Sequence, residues 1–331
     1  MKKLEENIEK LYKDLFLCES QSMQYLILIG SKVIELNQNN NIIVNIDRLY
    51  DEFVYFKYYH REKVNYGIKF FIPLMLVSRN FQAYEYTLID YLDKYTRFFF
   101  IEDKKNTYFL DIMTLDILIR SLIIDRNFMK NSDKYEEFIS KLLDKVKEYN
   151  PQGISKKDMI HFQLEKIKYI EDIHKIEWNE FYSRFKVLEI INRLKNTEER
   201  KVDKDVFKLR EQTILFYYFI NFIDNQNISK NENTNLCMEN SSNTFTKDFI
   251  ESMGKYIIKL RNKAVSKNKY ERIGQKPNPR NFVSYRVGKE FTDPILNNSK
   301  IIEKEIENDE CKMKLSTKTG IYEFILPIKT K

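Results

Sequence analysis

The scarcity of residues that turn a chain constrains this fold more than any other feature. Of 331 residues, only 7 are glycine and 6 are proline. Sandwiches and barrels need both at their tight turns, so a chain this poor in them is expected to run in helices. The length allows two domains, or one large one, with a substantial core. The expected class is mainly α: a multi-helix array with a small β-hairpin at the C-terminal end.

Apolar spacing places the helices. Leu4, Ile8, Leu11, Tyr12 and Leu15 recur at steps of three and four and predict an opening helix. Further helices are expected over Ser22–Leu36, Asp47–His60, Asn65–Asn80 with Pro73 as a kink or boundary, and Ala83–Tyr95. Tyr135, Phe138, Ile139, Leu142, Leu143, Val146 and Tyr149 define a helix over Ser132–Tyr149, with Ser132 and Asp133 as caps. Ser155 and Asp158 resemble a capping box that opens a helix over Lys156–Ile176. Trp178–Leu194, Asp203–Ile223 and Lys247–Val265 complete the set. Between residues 97 and 111, the β-prone runs Phe98–Ile101 and Thr107–Leu110 flank a charged five-residue turn. They read as a second short hairpin, with a helix break as the competing reading. The terminal hairpin pairs Lys312–Thr317 with Ile321–Ile328. The domain division that follows is a helical body over 1–224, an Asn/Ser-rich linker or loop over 225–245, and a C-terminal unit over 246–331.

Charge is distributed unevenly. The chain carries a net charge of +7, yet eleven cations and one acid fall between Lys255 and Lys289. That strip therefore carries +10, and the remainder sums to −3. Tyr256, Tyr270, Phe282 and Tyr285 interleave with the cations. Clustered Lys and Arg displace counterions from phosphates, and aromatic rings stack on unpaired bases. The expected contact residues are Arg261, Asn262, Lys263, Lys267, Lys269, Arg272, Lys276, Arg280 and Arg286. The competing reading is a solvated loop that offsets the acidic body or a partner.

Within the strip, Leu260-Arg261-Asn262-Lys263-Ala264-Val265-Ser266 ends an amphipathic stretch. It resembles the RNxxxH signature of HEPN domains, an all-helical superfamily that includes many RNases. The resemblance implies an Arg that holds phosphate and a His that moves the proton of an RNA 2′-hydroxyl, with no metal or other cofactor, across a dimer cleft. Ser266 stands where the family has His. A serine hydroxyl is no general base near neutral pH without a partner to take its proton. Only Arg261 and Asn262 carry over, in a binding role.

Other chemistry finds little support. There is no glycine-rich phosphate loop, no G-x-S-x-G and no H-E-x-x-H. Asp203 and Asp205 suit a helix start better than a Mg²⁺ site. Cys18, Cys237 and Cys311 are far apart, which suits a reducing compartment. The longest uncharged apolar runs, Ser20–Ser31 and Gln212–Ile223, fall short of a membrane span. No signal-peptide core follows Met1, so a cytoplasmic protein without membrane partners is expected. Two functions remain in view. One is an RNA- or polyanion-binding helical protein, HEPN-like and without catalytic power; if it is an enzyme, a metal-independent ribonuclease is the first expectation. The other is an interaction or scaffold protein with a protein partner or a homodimer, displaying exposed Phe and Tyr patches.

Overall fold

The chain is seen in a computed structural model that describes residues 2–16, 19–60, 64, 67–152, 154–176, 182–196, 211–223, 245–265 and 277–328. The fold is mainly helical, as the shortage of glycine and proline requires. In chain order the helices are α1 (Lys2–Asp14), α2 (Gln21–Lys32), α3 (Ile46–Tyr59), α4 (Ile72–Val77), α5 (Glu85–Phe98), α6 (Lys105–Ile124), α7 (Ser132–Glu148), α8 (Lys156–His174), α9 (Lys186–Lys195), α10 (Glu211–Ile223) and α11 (Lys247–Arg261). Strands β1 (Ile34–Leu36) and β2 (Ile42–Val44) form an antiparallel hairpin. Strands β3 (Glu290–Asp293), β4 (Asn297–Glu307), β5 (Glu310–Thr317) and β6 (Gly320–Pro327) form one antiparallel sheet in sequence order.

Helix α4 lies at the centre. Residues 67–78 are buried without interruption. A 3-10 turn over Ile68–Phe71 leads into α4, and Pro73 sits in its first turn, where a missing N–H costs nothing. Thus Pro73 marks a boundary within the expected Asn65–Asn80 helix. Helix α2 crosses closely over this segment. An added Cβ at Gly30 would stand 2.3 Å from the Phe70 carbonyl oxygen, so only glycine fits there. Around α4 pack α1, α2, α6 and α11. Helix α3 covers β6, and the Tyr25, Tyr59, Tyr322 and Phe324 rings join the helices to the sheet.

Several expectations are corrected. The stretch 97–111 contains no hairpin: α5 runs through Phe98, and α6 starts at Lys105 after a 3-10 turn at Glu102–Lys104. Phe98 stacks on Phe53 at 4.4 Å between ring centroids, while Phe109 and Leu110 fall on the buried side of α6. Tertiary burial therefore outweighs local β propensity. The C-terminal hairpin is real, but it is half of a four-stranded sheet. Helix α2 ends at Lys32, and Ile34–Leu36 is a strand. The cap of α7 is Asn131, whose side chain accepts from the Lys134 amide, in place of Ser132 or Asp133. Ser155 does cap α8, accepting from the Asp158 amide at 3.1 Å. Most of the expected 225–245 linker, the Asp203/Asp205 pair, Cys18 and Cys237 lie outside the described residues. No helix among the described residues is long and apolar enough to cross a membrane.

Candidate functional site

Helix α11 delivers the centre of the basic strip. Thr246 caps its start by accepting from the Phe249 amide. Ile257 and Leu260 are buried against the neighbouring helices. Its end closes through a left-handed residue, Lys263, at φ 57°. The Lys263 amide donates to the Leu260 carbonyl at 3.0 Å, and the Ala264 amide donates to the Lys259 carbonyl at 2.8 Å. These two bonds form a Schellman cap in which lysine holds the position usually given to glycine. The opposite face presents Lys255, Lys259 and Lys263 at four-residue steps, all exposed. None of the three forms an ion pair among the described residues.

Arg261 turns inward from that end. One of its terminal nitrogens, Nη1, donates to the carbonyl oxygens of Leu76 at 2.8 Å and Ser78 at 2.6 Å. These are carbonyls at the end of α4, a helix terminus too deep for water to satisfy. Arg120 of α6 does the same work beside it. Its Nη1 donates to the same Ser78 oxygen at 3.0 Å, and its Nε and Nη2 hold Asp116 at 2.7 Å each. Tyr84 completes the Asp116 shell from 2.8 Å. Arg261 and Arg120 therefore stand no further apart than two hydrogen-bond lengths.

A third guanidinium, that of the exposed Arg79, is near enough to act on Arg261 electrostatically. Burial lowers the Arg261 pKa to about 10, and the charges of Arg120 and Arg79 push the same way against Asp116. Burial also opposes charge on Arg120, but its hydrogen bond to Asp116 and the Asp116 charge hold its pKa above the ordinary value. Among the described residues, Asp116 is the one carboxylate acting on Arg261. The Arg261 Nε and Nη2 have no hydrogen-bond partner among the described residues. Among the described residues the cluster thus sets three guanidiniums against one carboxylate and leaves free N–H donors on a half-exposed side chain, the chemistry of an oxyanion contact.

The other expected residues divide. Asn262 is tied to α1, its Nδ2 donating to Glu5 Oε1 at 2.9 Å. Arg280 and Arg286 lie on a separate segment with no described contact to Arg261. Arg280 Nε donates to the Tyr58 hydroxyl at 3.2 Å, and Arg286 is exposed. That segment is pinned by Lys304, whose ammonium donates to the Val283 and Tyr285 carbonyls at 2.6 and 2.9 Å. Lys267, Lys269, Arg272, Lys276, Tyr270 and Ser266 lie outside the described residues.

The aromatic part of the expectation changes. Phe282 is buried against Tyr55 and Phe324, and Tyr256 and Tyr285 are half-buried. These rings form core and rim, so the described part of the strip offers cations rather than stacking platforms. The sequence reading did not single out Arg79 or Arg120 as site residues. Only the fold places either one beside Arg261.

Comparison with known family models, with curated proteins and with solved structures finds no match.

Proposed function

We propose that this is a helical RNA- or polyanion-binding protein whose contact surface centres on the end of α11. Arg79 and the free edge of Arg261 form its head, and Lys255, Lys259 and Lys263 form its track. The supporting observation is the guanidinium cluster at the end of α4: Arg261 and Arg120 share the Ser78 carbonyl and the charge of Arg79 acts on Arg261, which leaves cationic charge that an incoming phosphate would neutralise. Binding is electrostatic in character, because the neighbouring aromatics are packed inward. The HEPN-like reading belongs to the same proposal and rests on Arg261 and Asn262. Ser266 in the histidine position makes the protein a binder rather than a ribonuclease under this reading.

Filter binding of the full chain to a single-stranded RNA across a salt series tests the proposal. Affinity is expected to fall linearly in log-log form with salt. Replacing Arg79, Lys259 and Lys263 together by alanine should flatten the slope by about 2, near 0.7 for each cation lost. These three side chains are exposed and unpaired among the described residues, so the variant should keep its fold. Absence of RNA and DNA binding at low salt, or a slope that the triple variant leaves unchanged, would remove the proposal.

A further inference from the structure

The most conspicuous apolar surface lies on α8. Ile160, Leu164 and Ile167 are 61%, 53% and 54% exposed, although α8 already buries Phe162, Tyr169 and Ile173 on its opposite side. A helix that serves one core needs one apolar stripe, and α8 has two. The second stripe continues at steps of three and four in both directions, through Lys157 at one end and Glu171 and His174 at the other. All six positions are exposed and fall within a single face of the helix. The sequence order along the seam is cation, three aliphatics, anion. Neither Lys157 nor Glu171 forms an ion pair among the described residues.

We infer that α8 is a self-association surface, pairing antiparallel with α8 of a second copy of this chain around Leu164. The seam spacing is that of helices that pair knobs into holes. The charge order selects both the partner and the direction. A twofold axis at Leu164 sets Lys157 beside the partner's Glu171, and the same pairing recurs at the other end. Parallel pairing sets lysine on lysine and glutamate on glutamate, which repel. A seam that carries its own complement is matched by a copy of itself. The three aliphatics at the centre lose their water in the same step. The contact is small, so the association is weak, with a dissociation constant on the order of 10–100 µM. This inference does not depend on polyanion binding.

Sedimentation velocity of the full chain from about 5 to 500 µM is the test, over the range implied by that constant. A concentration-dependent monomer–dimer equilibrium is expected. Leu164→Lys should leave a monomer throughout. Lys157→Glu should weaken the dimer about tenfold, because both symmetry-related pairs become repulsive. The double variant Lys157→Glu/Glu171→Lys should return the dimer to near its original strength. Both of its members are exposed, so this swap keeps the test independent of any folding defect in Leu164→Lys. A wild-type chain that is monomeric over the whole range overturns the inference and assigns the stripe to an occupant of other chemistry. A dimer indifferent to Leu164→Lys, or a double swap that fails to restore association, overturns it equally.

Discussion

Glu19 and Lys69 form an ion pair whose side chains are each 4% exposed, sealed between the start of α2 and the 3-10 turn before α4. The Lys69 ammonium also lies 5.5 Å from the centroid of the Tyr218 ring. Burial raises the Glu19 pKa, and the Lys69 charge partly opposes it. Such a pair adds little net stability, but removing one partner leaves a buried charge with nothing to answer it. Lys69→Met should therefore cost about 3–5 kcal/mol at pH 7. The cost should depend on pH. A carboxyl whose folded pKa is raised contributes stability that is fully present below the unfolded value and lost as pH rises through the folded one. Without Lys69 the rise is larger, so the deficit should shrink between pH 7 and pH 5 as Glu19 takes a proton. Glu19→Gln added to Lys69→Met should recover most of it at pH 7. Urea unfolding of the wild type and the two variants at both pH values measures this, and a deficit equal at both pH values would contradict it. The pair shows why single residues are hard to read from a linear chain. Glu19 and Lys69 are fifty positions apart, and nothing in the pattern around either one points to the other. Arg261 could be found because an apolar stripe ended there amid cations. Its partners could not, because they converge only where α4 ends inside the core.

At the scale of elements, legibility followed periodicity. Helices α1 and α7 each have one apolar stripe, turned toward the core, and were readable from it, whereas α8 was readable from the Ser155 cap that fixes its start. Helix α6 is buried on nearly every side, so no stripe announced it, and its β-prone start suggested a strand instead. Strand β4 escaped for a different reason. A bulge between Ile301 and Glu303 interrupts the alternation that marks a strand, and its outer face is rich in Lys and Glu. The turn from β3 to β4 is held by Asp293, which is buried. Its carboxylate accepts from the Ile295 and Leu296 amides at 2.8 and 2.9 Å, and from the Tyr55 hydroxyl of α3 at 2.7 Å. That single side chain shapes the turn and fastens the sheet to α3. Asp293→Ala strands three buried donors and should cost about 3 kcal/mol. Tyr55→Phe removes one of the three bonds and should cost about 1–2 kcal/mol. Hydrogen exchange would locate the effect, with protection at Ile295 and Leu296 falling further in Asp293→Ala than in Tyr55→Phe. Equal losses in the two variants would mean that the turn amides have another acceptor.

For the whole molecule, the two ends of the chain share one core. Helix α11 lies along α1, with Gly254 allowing the approach: an added Cβ there would meet the Glu9 side chain at 3.3 Å. The Tyr25 hydroxyl of α2 donates to the Ile321 carbonyl of β6 at 3.1 Å, and α3 supplies the surface that β6 covers. The buried apolar side chains run without a break from Ile8 to Leu326. Sequence composition suggested a division near residues 225–245, yet the elements after it bury their apolar faces on elements before it. A sheet that depends on α2 and α3 for one of its two faces has no independent core. Its stability should therefore be that of the whole chain, and unfolding should be a single cooperative transition. Leu11→Ala tests this from the far end of the molecule. Leu11 is fully buried in α1, and the substitution should cost about 2–5 kcal/mol of cavity and transfer energy. If the core is one unit, amide protection in β5 and β6 should fall by the same free energy as the global stability from denaturant unfolding, with the m-value unchanged. Should β5 and β6 keep their protection while α1 and α11 lose theirs, the C-terminal sheet is a separate folding unit and the shared core does not govern its stability.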